Sequence, residues 1–183
     1  EKRITDETPV RTLPRRNYPN WAIAASIALL VGFGWLGYHN FFGSNYADLY
    51  QENFQEYPNT VYTITRSDAV ESIEREGFAA YEAGNYKTAI DNFEKIPPKN
   101  QKPYLDFYRA QSYLQIDKTE EAKKLFKTNI RNGSAFVPES HWYLALTYLR
   151  EKDTENALLQ LQALTTRYDY NKEKASTLLQ ELE

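Results

Sequence analysis

Small, aromatic and charged residues recur at helical spacing through the central and C-terminal parts of the chain. The stretch from Gly77 to Ile96 predicts a helix, a tight turn at Gly84-Asn85 and a second helix. The same offsets return twice more, at intervals of 33 and 35 residues, which predicts three helical hairpins of one repeat type. Three sets of equivalent positions carry the repeat: Gly77, Ala110 and Ala145; Ala89, Ala122 and Ala157; and Phe93, Phe126 and Leu161.

Apolar residues at helical spacing place the six helices of these hairpins and one further helix after them. Asp68 and Asp117 are the predicted capping residues of two of the helices, each with a glutamate three residues on. Gly133 is predicted to end a helix at its C-cap. The last helix has a polar side, which suits the solvent-facing end of a stack of repeats. The predicted ranges are 68–83, 86–95, 103–115, 119–130, 138–150, 154–166 and 171–182.

The three sets of positions resemble the tetratricopeptide repeat (TPR) family, in which small residues stand where two helices cross closely and large residues pack between them. The match covers residues 67–168. Three features depart from the family pattern. Ala80 stands at an aromatic position, and the turn glycine is kept only at Gly84. Asp117 and Lys152 replace that glycine in the other repeats. The early tryptophan-type position holds Ile73, Asp106 and His141. The resemblance implies an all-α, TPR-type solenoid of about three repeats with a C-terminal capping helix, over residues 67–183.

The resemblance also implies a non-enzymatic scaffold that binds a segment of another protein in a concave groove lined by the first helix of each repeat. The basic residues with which some TPR proteins clamp a terminal carboxylate are missing, since only Arg150 is basic here. Aromatic anchors are expected instead, because buried rings dominate many interfaces. The alternative is that the same rings pack against neighbouring helices. The partner-binding positions that carry over are Phe78, Tyr81, Tyr104, Phe107, Gln111, Trp142, Leu146 and Arg150.

An uncharged stretch precedes the repeats. Residues 21–38, as a helix, would span about 27 Å at about 1.5 Å per residue, and Phe41 and Phe42 extend the apolar run. Trp21 and Trp35 lie near its ends, where interfacial aromatic residues stand. The stretch is therefore predicted to be a single transmembrane helix over 21–42. A secretory signal peptide is disfavoured, because the run is long and no small-residue cleavage site follows it.

Basic residues flank only one side of this predicted membrane helix. Arg15 and Arg16 precede it, and no Lys or Arg follows until Arg66. The predicted location is the inner (cytoplasmic) membrane. The positive-inside rule then predicts that the tail over 1–20 is cytoplasmic and that the TPR domain lies in the periplasm or another extracytoplasmic space. A small-residue stripe at four-residue spacing favours packing against another transmembrane helix, although such residues are common in membrane helices generally. The stripe consists of Ala24, Ala28 and Gly32.

Residues 43–66 are predicted to connect the membrane helix to the repeats. A short helix is expected over Asn45–Glu56, and Pro58 ends it because proline disfavours helix at the preceding residue. Val61–Thr65 is β-branched and is expected to be extended. This segment resembles the link between anchor and repeats in some bacterial membrane TPR proteins, whose cytoplasmic part resembles an anti-sigma domain. Any such domain would lie before Glu1.

Net charge and residue composition disfavour several kinds of partner and of catalytic or metal site. The formal net charge is −3, which disfavours a nucleic-acid partner held by bulk electrostatics. There is no Cys, and His39 and His141 are the only histidines. No metal set, Gly-rich phosphate loop or acid/base pair stands out, so we expect no catalytic residue, no metal site and no cofactor. His141 is expected to be a packed or surface residue.

These observations leave two main hypotheses for function. The first is a membrane-anchored scaffold or adaptor that recruits a protein partner, as a subunit of an envelope or translocation complex. The second is a transmembrane signalling regulator of the anti-sigma type, with an extracytoplasmic TPR sensor. An enzyme is disfavoured. A flipped topology, with repeats in the cytosol as in organelle outer-membrane receptors, is a further alternative.

Overall fold

A computed structural model describes residues 46–63 and 72–182, together with Leu30 and Gly34. The chain divides into two units, Glu1–Gly43 and Ser44–Glu183, and the second holds nearly all the described residues. The predicted membrane helix over 21–42, with its stripe at Ala24, Ala28 and Gly32, lies outside the described residues apart from Leu30 and Gly34. No helix within the described part of the chain has the length and apolar character needed to cross a membrane.

The described residues form eight α-helices and no strand, which confirms the all-α class. Every helix from the second to the eighth packs against its neighbour in sequence, so that three helical hairpins and a final helix follow one another. A short 3₁₀ turn, Pro98–Asn100, lies between the first two hairpins. The α-helices are α1 Tyr46–Asn53, α2 Ile73–Glu82, α3 Tyr86–Lys95, α4 Leu105–Gln115, α5 Thr119–Asn132, α6 Val137–Arg150, α7 Thr154–Arg167 and α8 Lys172–Leu182.

The turns inside the three hairpins share one backbone geometry. Gly84, Asp117 and Lys152 all adopt left-handed backbone angles, with φ of 73°, 60° and 63°. In the first turn the Asn85 amide donates to the Ala80 carbonyl at 2.8 Å and the Gly84 amide donates to Tyr81, which is the Schellman pattern. The other two turns repeat both bonds. The equivalence expected from sequence spacing therefore extends to positions where glycine has been replaced.

Small and large residues meet where the paired helices cross. A Cβ atom added to Gly77 would lie 2.5 Å from Cε1 of Phe93, so a larger residue here would force the Phe93 ring to shift. Ala89 on α3 is fully buried, and Phe93 is 1% exposed. The second and third hairpins bury the equivalent set in the same way: Ala110, Ala122, Phe126, Ala145, Ala157 and Leu161.

Helix ends agree with the prediction in part. Gly133 follows α5 in a left-handed conformation, as expected for a C-cap glycine. The prediction that Asp117 caps α5 is wrong, because Asp117 belongs to the preceding turn and Lys118 takes the cap position without a side-chain bond. Helix α2 begins at Ile73, later than predicted, with Ser72 as its N-cap. The predicted cap Asp68 lies outside the described residues.

The predicted connector packs on the hairpins. Its short helix is present as α1, which packs against α6. From Phe54 to Thr63 the chain has no regular secondary structure, and Tyr57, Val61 and Tyr62 pack against the hydrophobic core of the hairpins. None of the residues 46–63 is fully buried, so this part of the chain forms a surface layer over the hairpins. Part of this layer, residues 54–62, belongs to the site described next.

Candidate functional site

The first helices of the hairpins, α2, α4 and α6, carry a face of aromatic side chains. Residues 54–62, which we call the docked segment, lie on this face. The contacts are of two kinds, since tyrosine hydroxyls bind the backbone of the docked segment and aromatic rings enclose its side chains. This face is where the TPR resemblance places a partner-binding groove.

Three tyrosines, one from each of these helices, donate hydrogen bonds to backbone carbonyls of the docked segment. Tyr81 on α2 donates to the Tyr57 carbonyl at 2.5 Å. Tyr108 on α4 donates to the Pro58 carbonyl at 3.2 Å and accepts a bond from the Thr60 amide at 3.0 Å. Tyr143 on α6 donates to the Gln55 carbonyl at 2.6 Å. We call Tyr81, Tyr108 and Tyr143 the tyrosine clamp; because it binds main-chain groups, it sets few demands on side-chain identity.

The ring of Tyr57 occupies an aromatic pocket. Its centroid lies 5.0 Å from Phe107 and 5.4 Å from Phe136, both edge-on, and the rings of Tyr108 and Tyr143 also lie edge-on to it at 6.3 Å. Edge-on pairs of this kind stabilise by about 1 kcal/mol beyond the area they bury. The pocket therefore selects an aromatic residue at this point of the docked segment.

The docked segment bends directly after Pro58. The Asn59 side chain accepts hydrogen bonds from the amides of Val61 and Tyr62 at 3.2 and 3.0 Å, an arrangement that replaces a backbone turn. Its amide group also donates to Glu82 on α2 at 2.7 Å. Beyond the bend, the ring of Tyr62 stacks on Phe78 at 5.3 Å with an interplanar angle of 8°.

Comparison with protein-family models, with curated proteins and with solved structures returned no match. The TPR assignment therefore stays a prediction that rests on the spacing of residues in this chain.

The predicted partner-binding residues divide into groups in the structure. Phe78, Tyr81 and Phe107 contact the docked segment directly. Tyr104 donates to the Glu74 carboxylate at 2.5 Å and its ring lies 6.0 Å from Phe78. The chain itself thus covers much of the face on which a partner was expected, and contact of these residues with a partner stays a prediction.

Arg150 lies at the edge of the same face. Its guanidinium group lies over the Tyr50 ring of α1, 5.4 Å from the centroid, and pairs with the Asp117 carboxylate at 2.5 Å. The bond to Asp117 raises the pKa of Arg150. Arg150 therefore joins α1, α6 and the turn of the second hairpin, which places it in an internal network.

Gln111, Trp142 and Leu146 are buried within the hairpins, with exposures of 0%, 2% and 0%. Gln111 stands one residue after Ala110, as Phe78 stands one residue after Gly77, so Gln111 is the equivalent in the second hairpin of a residue that contacts the docked segment. Neither polar atom of the Gln111 side-chain amide has a hydrogen-bond partner among the described residues. A buried amide without partners costs about 1–3 kcal/mol.

Burial makes the tyrosines of the site hard to ionise. Burial, with the nearby Glu139 carboxylate, raises the pKa of Tyr57 to about 12 from an ordinary value of 10.0. Burial likewise raises the pKa values of Tyr81, Tyr108 and Tyr143. The clamp hydroxyls therefore remain neutral donors throughout the physiological pH range.

Sequence reasoning missed two of the three clamp residues. Tyr108 and Tyr143 both stand two residues before a small alanine of the repeat, Ala110 and Ala145. Their separation of 35 residues is a signal that would have placed them on one face. The role of Tyr57 carries no comparable signal, because it depends on contacts between residues far apart in sequence.

Two observations concern catalytic and metal-binding side chains among the described residues. His141 is buried, and its Nδ1 atom lies 2.9 Å from the Gln160 side-chain oxygen. Burial lowers the pKa of His141. Within residues 46–63 and 72–182, no cluster of three or more His, Cys, Asp or Glu side chains has an arrangement that would hold a metal ion. The geometry at the aromatic face suits recognition of a peptide backbone.

Proposed function

We propose that the protein is a membrane-anchored TPR scaffold that mediates protein–protein interactions, without enzymatic activity, as a subunit of an envelope or translocation complex. Residues 21–42 anchor it in the inner membrane, residues 1–20 face the cytoplasm, and the repeats lie on the extracytoplasmic side. The uncharged stretch and the one-sided distribution of Arg support this topology. The face formed by α2, α4 and α6 binds a segment of the partner.

The observation that carries the proposal is the tyrosine clamp. Hydroxyl groups from three successive hairpins bind three carbonyls within four residues of a non-helical segment. Such a row of donors can hold the backbone of any non-helical segment, because every peptide offers carbonyl oxygens. Aromatic rings beside the clamp supply the apolar contact area that peptide recognition requires.

The proposal is tested by recovery of the partner from native membranes. The chain is tagged after Glu183, cross-linked in mild detergent and isolated for mass spectrometry. We expect one envelope protein to cross-link reproducibly to the 100–150 region. The double variant Tyr108→Phe/Tyr143→Phe removes two clamp hydroxyls and keeps the buried rings. It is expected to lose that protein while keeping its helical circular dichroism. Normal recovery by a folded double variant would contradict the role of this face.

A transmembrane signalling regulator of the anti-sigma type is the second candidate. One observation favours it: residues 54–62 follow the predicted membrane helix and also lie on the repeats, which would link the two parts. In this case the same experiment gives cross-links that concentrate on residues 1–20 and lead to a cytoplasmic regulator. Cross-links confined to the repeats would count against it.

A further inference from the structure

The docked segment makes contacts like those of a bound peptide, although none of its residues is fully buried. The clamp bonds and the pocket around Tyr57 hold it, but Gln55, Glu56, Pro58 and Thr60 are exposed to solvent. The hairpins beneath it bury their own core of alanine, phenylalanine and leucine at the helix crossings. Removal of the docked segment would therefore expose the aromatic face and leave the crossings intact.

We propose that residues 54–62 are an internal ligand, which a partner displaces by offering a non-helical peptide with an aromatic residue followed by proline. This inference rests on the proposed function and names the partner's chemistry. The occupant is a segment of a different protein. Its aromatic ring enters the pocket of Phe107 and Phe136, and its carbonyls accept the clamp hydroxyls.

Three features of the docked segment define the peptide that fits. The pocket accepts one ring, because edge-on aromatic contacts surround it on several sides. Proline at the next position fixes the backbone ahead of the bend, which presents the Pro58 carbonyl to Tyr108. A small polar residue such as Asn59 then closes the bend and reaches Glu82. The tolerance of the clamp for any carbonyl lets the remaining positions vary.

Gln111 supplies a reason why another peptide binds better than the internal one. Gln111 stands at the position equivalent to Phe78, and its buried amide has no partner within the described part of the chain. A ligand that brings a polar group to Gln111 gains a hydrogen bond that the docked segment does not make. This gain acts against the advantage that the covalent link gives to the internal ligand.

The test uses a fluorescent peptide with the sequence of residues 54–62, titrated into the full chain in detergent micelles and followed by anisotropy. The wild type is compared with Tyr57→Ser, which weakens the docked segment, and with Thr63→Ala, an exposed position that serves as control. We expect Tyr57→Ser to bind the peptide at least tenfold more tightly than the wild type and Thr63→Ala to match the wild type. A peptide with alanine at the position that corresponds to Tyr57 should not bind.

A second variant guards against misfolding. Asn59→Ala removes the side-chain bonds of the bend and the bond to Glu82, and it changes no helical residue. It should therefore bind the peptide more tightly than the wild type even if Tyr57→Ser fails to fold. If both variants keep their helical content and neither binds the peptide, the inference is overturned. Dimers formed through exchange of residues 54–62 between two copies, detected by light scattering, would also overturn it, because the occupant would then be a second copy.

The outcome is separable from that of the proposed function. Peptide binding without recovery of any membrane partner would leave the recognition intact and remove support for the scaffold role. The opposite result has two parts: Tyr108→Phe/Tyr143→Phe recovers a partner as efficiently as the wild type, and no variant binds the peptide. This result would overturn the inference and would support a scaffold that uses another surface.

Discussion

At the residue scale, the fold includes a few positions where backbone conformation or volume favours glycine. Gly77 is such a position, since Phe93 occupies the space that a Cβ atom would need. The left-handed turns at Asp117 and Lys152 are another, because side chains other than glycine carry a penalty in this conformation. Differences between repeats at equivalent positions therefore translate into measurable differences in stability.

We expect Gly77→Ala to destabilise the protein although alanine favours helix. Overpacking costs about 1–3 kcal/mol, whereas the gain in helix propensity is only about 1 kcal/mol. Urea unfolding measures the difference. In a Phe93→Leu background, which copies the Leu161 of the third hairpin, the same change should be neutral or stabilising. An equal loss in both backgrounds would contradict the close crossing.

Lys152→Gly is expected to stabilise the third hairpin by about 1 kcal/mol, because glycine adopts the left-handed conformation without steric cost. Thermal unfolding of the chain measures the gain. The reciprocal change Gly84→Ala should lower stability by a similar amount. If Lys152→Gly lowers the melting temperature, the shared turn geometry is wrong.

Gln111→Leu should raise stability, because it removes a buried amide that lacks partners and installs the residue found at Leu146. We expect a gain of about 1 kcal/mol by urea unfolding. The same variant should recover less of the membrane partner. A loss of stability would show that the Gln111 amide is satisfied in the folded protein.

At the scale of elements, local pattern predicted the hairpins well. Helix α3 has the predicted bounds, and α7 differs by one residue at its end, because both carry clear apolar periodicity and a turn before them. The docked segment was beyond prediction for a physical reason. Its position depends on contacts between Tyr57 and residues 50 or more positions away, and no local periodicity reports such contacts.

Tyr143→Phe is expected to loosen the docked segment while the hairpins stay folded. The ring contacts persist, but the hydrogen bond to the Gln55 carbonyl is lost, at a cost of about 1 kcal/mol. Hydrogen exchange should rise in residues 54–62 and remain unchanged in α4 to α7. Tyr113→Phe, which removes a bond to Glu94 outside the clamp, is the matched control. Equal exchange in both variants would argue against the clamp.

The docked segment should stay bound at neutral pH and be released at strongly alkaline pH. A raised pKa means that the folded state favours the protonated tyrosine, so this contribution to stability is complete below the unfolded value of 10.0 and is lost as pH rises through the folded value, about 12 for Tyr57. Tyrosinate absorbance and circular dichroism measured together follow the loss. A free energy of unfolding that is constant across this range would contradict burial of these hydroxyls.

At the scale of the whole molecule, the docked segment brings the predicted connector and the repeats into one unit, Ser44–Glu183. In the function proposed above, the recognition face is already occupied and a partner must compete for it. The fraction of bound partner is then set by the difference between the affinities of the face for the internal and the external peptide. Modest changes in either affinity alter that fraction.

The most direct test places the photo-crosslinking residue p-benzoylphenylalanine at Tyr57 in the full chain, with Thr63 as the control position. In the isolated protein we expect cross-links from position 57 to peptides that contain Phe107 and Phe136, and few from position 63. Addition of the membrane partner should reduce them. Cross-links from position 57 to lipid or to distant surfaces, with none to α4 or α6, would contradict the claim that this face binds a non-helical segment.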